Sequence, residues 1–184
     1  MPRRFSVLLV LLIGLGLPAS HAQAPDGPLQ RSHVQDYIRL RVEIHKMQEQ
    51  MKANADQYDA VIQAFYKRQA EFLRSEGWTQ DGFDAVEQRI LAAKGAMNWA
   101  ADSTQRQEKL AGIDQMTGLS EKQRRELRTA TIRQDSIYRA QQIAPTRRDW
   151  PAVRPHLDAL QHLTDYVAKN RPDPPTPADL PPQR

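Results

Sequence analysis

The sequence predicts an all-α fold, and three observations predict it. Aromatic residues make up only 7% of the chain and glycine occurs 8 times, while the helix formers Ala, Gln, Arg, Glu and Leu are abundant. Apolar residues recur at alternating three- and four-residue steps over long stretches, which is the period of a helix face. Helix stop and start signals, Gly77 with Thr79 and Ser120 with Gln123, punctuate those stretches. The expected architecture is a long antiparallel helical hairpin over residues 32–104, followed by two shorter C-terminal helices at 120–143 and 150–169. A single domain, 32–170, holds all of them.

The chain opens MPRRFSVLLVLLIGLGLPASHAQA, with Arg3 and Arg4 ahead of an apolar run from Val7 to Leu17 and an Ala22-Gln23-Ala24 cleavage signature. This reads as a secretory signal peptide, residues 1–24, removed in the mature protein. The run is too short to cross a hydrocarbon core of roughly 30 Å, and no later stretch is longer, so no transmembrane segment is expected. The destination read from this signal is the bacterial periplasm or the exterior. Without cysteine the mature chain has neither disulfides nor thiol chemistry, and its stability rests on packing. Loss of Arg3 and Arg4 from the 26 basic residues leaves 24 against 22 acidic ones, so the net charge falls from +4 to +2. Such a weak surplus, in that compartment, argues against a nucleic-acid partner.

Residues 25–31 read as an unstructured leader. From Ser32 onward Tyr37, Leu40, Ile44, Met47, Met51, Asn54, Tyr58, Val61, Phe65, Arg68 and Phe72 trace a seam of coiled-coil spacing with no Pro or Gly inside it. One continuous helix, 32–75, is the favoured reading, and two helices broken near Asn54 the other. Neither can bury that stripe alone, which makes self-association through the seam an expected mode of assembly. Gly77 suits a helix C-terminus and Thr79 an N-cap, so a second helix carrying Phe83, Val86, Ile90, Ala93 and Met97 turns back beside the first.

A polar connection, residues 101–118, keeps some helix in its first half. Ser120 and Gln123 then form a capping box and open a helix of about 20 residues. Leu127, Ala130, Ile137 and Tyr138 share one side of it; Arg124, Arg125, Arg128 and Arg139 lie on the other with Glu121 and Asp135. Glu121 with Arg125 and Asp135 with Arg139 have the spacing of favourable helical ion pairs. Ile132 falls among the arginines with no evident reason. Asp149 is the expected cap of the last helix, Pro151 fits its first turn, and Pro155 forces a kink or a later start. Residues 171–184 hold 6 of the 13 prolines and read as an extended, disordered tail.

No catalytic, phosphate-loop or calcium-loop motif occurs, and the acidic run at Asp81–Glu87 suits a helix N-terminus. His156 and His162, six residues apart, cannot chelate together on one helix, so no metal site is expected, and no cofactor. The histidines are expected on partly exposed helix faces. Trp78, Trp99 and Trp150 each fall near a helix end, as plugs of the core. An enzyme is not expected. The basic face of Arg124, Arg125, Arg128 and Arg139 is the candidate binding surface, for acidic or unfolded proteins or for peripheral contact with anionic lipid headgroups.

Leu119-Ser120-Glu121-Lys122-Gln123 resembles the L-T-x-x-Q motif of the Spy and CpxP group of helical periplasmic stress and chaperone proteins. Ser120 stands where the motif has Thr, and one copy is present. The resemblance implies a structural role for Leu119, Ser120 and Gln123 and a non-catalytic, protein-binding function as an envelope-stress or chaperone-like factor. The other expectation is a structural, coiled-coil-like component of an envelope assembly with no client-holding activity.

Overall fold

A computed structural model describes residues 26–176 and residue 179, and every regular element among them is helical. Residues 1–24, read from the sequence as a signal peptide, lie outside the described residues. Seven α-helices follow in order: α1 Arg31–Ala53, α2 Val61–Ser75, α3 Gln80–Ala101, α4 Ser103–Asp114, α5 Glu121–Tyr138, α6 Trp150–Val153 and α7 Leu157–Val167.

The helix expected to run unbroken over 32–75 is two helices. Its seam stops at Asn54, whose side-chain amide bonds back to the Gln50 carbonyl (2.7 Å) while a 3₁₀ turn occupies Ala55–Gln57 and Tyr58 is extended. Asn and Asp side chains compete with the helical ladder for backbone partners, which is why "NAD" breaks a helix that contains no Pro or Gly. The chain reverses there: Glu76, just past α2, reaches Arg39 in the first half of α1 (2.7 Å). The hairpin is therefore α1 with α2, and α3 is a third layer beside both.

Reversal at Asn54 makes α1 the centre of the molecule. α2, α3, α6 and α7 all pack on it, so Val34, Ile38 and Val42 are buried as well as the seam residues Tyr37, Leu40, Ile44 and Met51. Phe83, Val86, Ile90 and Ala93 of α3 complete the core with Leu73, Val153, Leu160 and Leu163. Burial of each large aliphatic or aromatic side chain contributes about 1.5–3 kcal/mol.

The caps at residues 77 and 79 form as the sequence indicates. Gly77 has φ +81°, its N–H donates to the Arg74 carbonyl and that of Trp78 to Leu73, which is a Schellman ending. Thr79 Oγ1 accepts from the Gly82 N–H (3.0 Å).

Both ends of the domain are more ordered than composition suggests. Leu29 of the supposed leader is buried, and its N–H donates to the Asp149 carboxylate (2.9 Å). Asp149 caps nothing with its side chain; it is occupied by Leu29 and Arg89 instead. Pro155 is accommodated by a 3₁₀ turn, Arg154–His156, so the single helix expected at 150–169 is α6 and α7 with that turn between them. In the tail, Pro174 and Pro175 are half-buried and the Asp173 carbonyl lies 2.9 Å from His162 Nε2. The expectation of disorder thus fails for residues 171–176, because α7 offers them a hydrogen-bonding side chain; most of the remaining tail lies outside the described residues.

Three of the four described histidines are also misplaced by the sequence reading. His33, His45 and His156 are buried. His33 Nδ1 accepts from the Gln30 N–H (3.0 Å) at the start of α1 and its ring stands edge-on to Trp78, while His45 meets the ring of Tyr166.

Candidate functional site

α4 and α5 form a helical arm that shares little of this core. Along the arm only Ile113 of α4 and Thr131 of α5 are buried among the residues whose side chains are described. The turn between the helices is built by the stretch that opens α5. Ser120 Oγ accepts from the Gln123 N–H (3.3 Å) and Gln123 Oε1 accepts from the Ser120 N–H (2.9 Å), a complete capping box. Leu119 is half-buried just before it.

The arginines expected to form one basic face are divided among three tasks. Arg128 pairs with Asp114 at the end of α4 (2.6 Å), and Arg124 donates to the Met116 carbonyl (3.2 Å), so these two fasten the turn. Arg139 lies over the indole of Trp99, 5.4 Å from its centre. Arg125 makes no ion pair or hydrogen bond among the described residues and lines a shallow groove along α5 with Ala130, Arg133 and Ile137. Neither Glu121–Arg125 nor Asp135–Arg139 closes to ion-pair distance; Arg125 is left facing outward, and Arg139 is drawn to Trp99 instead.

Trp99 is the joint between arm and core. Arg106 covers its ring at 4.5 Å, Tyr138 approaches at 4.9 Å, and Arg106 also donates to the carbonyl of Trp99 (2.6 Å) at the C-terminal end of α3. A cation at that helix end answers both the unpaired carbonyls and the negative end of the dipole. Trp99 is thus a plug as expected, though of the arm junction and not of the core.

The apolar side of α5 is largely exposed. Leu127, Ile137 and Tyr138 keep 40%, 46% and 41% of their surface accessible, and Ile132 on the opposite side keeps 49%. Ile132 borders a second shallow groove with Arg106, Leu110 and Arg139. Apolar residues on both sides of α5 were the signal in the sequence: a helix with one buried face does not need them.

Among the described residues no cluster of three His, Asp or Glu is placed to hold a metal ion, and no helix is long and apolar enough to cross a membrane. No known protein family, no curated protein and no solved structure matches this chain.

Proposed function

We propose that the chain acts without catalysis, in the bacterial periplasm or outside the cell, by holding other proteins on the α4–α5 arm as a chaperone-like or envelope-stress factor. The observation that carries this reading is the exposure of Leu127, Ile132, Ile137 and Tyr138 on a helix that also bears Arg125 and Arg133. Apolar side chains supply adhesion to an unfolded segment, and unpaired guanidinium groups select acidic ones. The likeness of Leu119-Ser120-Glu121-Lys122-Gln123 to the Spy and CpxP motif supports the same reading. A structural assembly through the 32–75 seam is less well served, since Tyr37, Leu40, Ile44 and Met51 are spent in this chain's own core.

The test is suppression of aggregation. Purified protein is titrated against a chemically denatured client without ATP, and light scattering is followed. Suppression near equal stoichiometry, weakened by salt and by charge reversal at Arg125 and Arg133, is expected. Undiminished scattering at several-fold excess would overturn the proposal.

A further inference from the structure

A second feature, remote from the arm, has the form of a ligand site. α3 and α7 both lie on α1 yet make few contacts with each other, which leaves a cleft of about 310 Å³ between them with α1 as its floor. That is within the size of small-molecule sites, roughly 300–1,000 Å³. Its walls are largely apolar: Leu91 from α3 and Leu160, Leu163 and Val167 from α7. Leu91, on the rim, is 51% exposed.

The polar groups in the cleft are few and unbalanced. Glu87 accepts from the Tyr37 hydroxyl (2.9 Å) and sits 3.6 Å from Arg41 Nε, so its charge is already answered. Arg41 makes no hydrogen bond among the described residues. Lys94 reaches from α3 across to α7, where its ammonium meets only neutral oxygens: Gln161 Oε1 (3.1 Å), Thr164 Oγ1 (3.2 Å) and, more distantly, the Leu160 carbonyl (3.5 Å). Burial pushes its pKa below the usual lysine value, with Asp165 opposing. Among the residues that line the cleft two cations stand against one carboxylate, next to an apolar wall, with Asp165 beyond the lining.

The geometry points to a binding site for a single-chain aliphatic carboxylate, with its head on Lys94 and Arg41 and its chain along Leu91, Leu163 and Val167. A monoanion cancels the excess charge of the lining and gives Lys94 a carboxylate in direct contact, where its present partners are neutral oxygens. A cation is disfavoured because Arg41 already occupies Glu87. This inference does not depend on the arm.

Calorimetric titration of the purified protein with decanoate, decanol and decylamine tests it. Decanoate is expected to bind one-to-one and more tightly than either analogue. Lys94→Met should weaken decanoate about tenfold or more, the worth of one charge-assisted contact, while leaving decanol unchanged. Leu91→Glu, on an exposed position that folding does not need, should weaken decanoate by repulsion, and circular dichroism confirms that both variants are folded. Absence of decanoate binding at millimolar concentration, equal affinity for decanol, tighter binding of decylamine, or indifference to Lys94→Met would each overturn the inference.

Discussion

Arg89 and Asp149, 60 residues apart in sequence, form a two-pronged ion pair that holds three segments together. Nε meets Oδ2 at 3.0 Å and Nη2 meets Oδ1 at 2.6 Å; Nη2 also donates to the Gly27 carbonyl, and Oδ1 accepts from the Leu29 N–H. Asp149 is buried, and Arg89 is the cation that pairs with it. Arg89→Met should cost about 3–5 kcal/mol in urea unfolding, because it strands a buried carboxylate. The double variant Arg89→Met with Asp149→Leu should cost less than Arg89→Met alone. A loss in the double variant equal to the sum of the two single losses would show that the partners act separately.

The caps show how much of this fold was legible in the sequence. α2 ends at Gly77 and α7 at Lys169, each in the left-handed region, φ +81° and +62°, and each followed by the same Schellman pair of hydrogen bonds. Gly77 announces its turn because glycine adopts positive φ without strain. Lys169 announces nothing, since lysine is not among the residues that favour positive φ. The same division runs through the chain. Ser120 with Gln123 and Thr79 with Gly82 are local hydrogen bonds and could be read directly. The break at Asn54 is local too, through its bond to the Gln50 carbonyl, and is the second of the two readings of the sequence. The anchoring of Leu29 depends on a partner distant in sequence, and so does the convergence of Tyr37, Glu87, Lys94 and Thr164 on one cleft.

Gly77→Ala isolates the conformational part of that cap. A Cβ at residue 77 would meet nothing within 4 Å, so the substitution adds no clash. The left-handed backbone alone should cost about 1–2 kcal/mol. Denaturant titration should show a lower midpoint with an unchanged slope.

His156 should make stability fall in acid. It is fully buried, and neither ring nitrogen has a hydrogen-bond partner among the described residues. Burial, then the charge of Arg31, hold its pKa below the ordinary 6.5. The unfolded chain therefore takes up the proton first as pH falls. Stability is complete above about pH 6.5 and declines below it, by at most about 1.4 kcal/mol per pH unit per histidine, until the folded-state pKa is passed. His45, lowered chiefly by burial, adds a slope of the same sign. His156→Leu should flatten the profile and raise stability even at neutral pH, since it removes unpaired buried polar atoms. A steeper profile in the variant would refute this account.

Leu127 and Ile137 separate binding from folding. Both are exposed, so Leu127→Glu and Ile137→Glu should move stability by no more than about 0.5 kcal/mol. The same substitutions should abolish most of the suppression of client aggregation. Full activity in the doubly substituted protein would place client binding elsewhere than on α5.

Trp99 determines whether the arm moves with the core or apart from it. Arg106, Arg139 and Tyr138 all converge on its ring, and each such contact contributes roughly 0.5–1.5 kcal/mol. Between α4 and α5 themselves the buried contribution is small, limited among the described side chains to Ile113 and Thr131. The ring contacts are then a large part of what aligns the arm, whereas the core around Leu40, Ile44, Phe83 and Ile90 does not use them. Trp99→Ala should therefore speed amide exchange across residues 103–138 well before it affects α1 and α3, a local opening and not a global one. Uniform acceleration through both regions would mean that arm and core unfold as one unit.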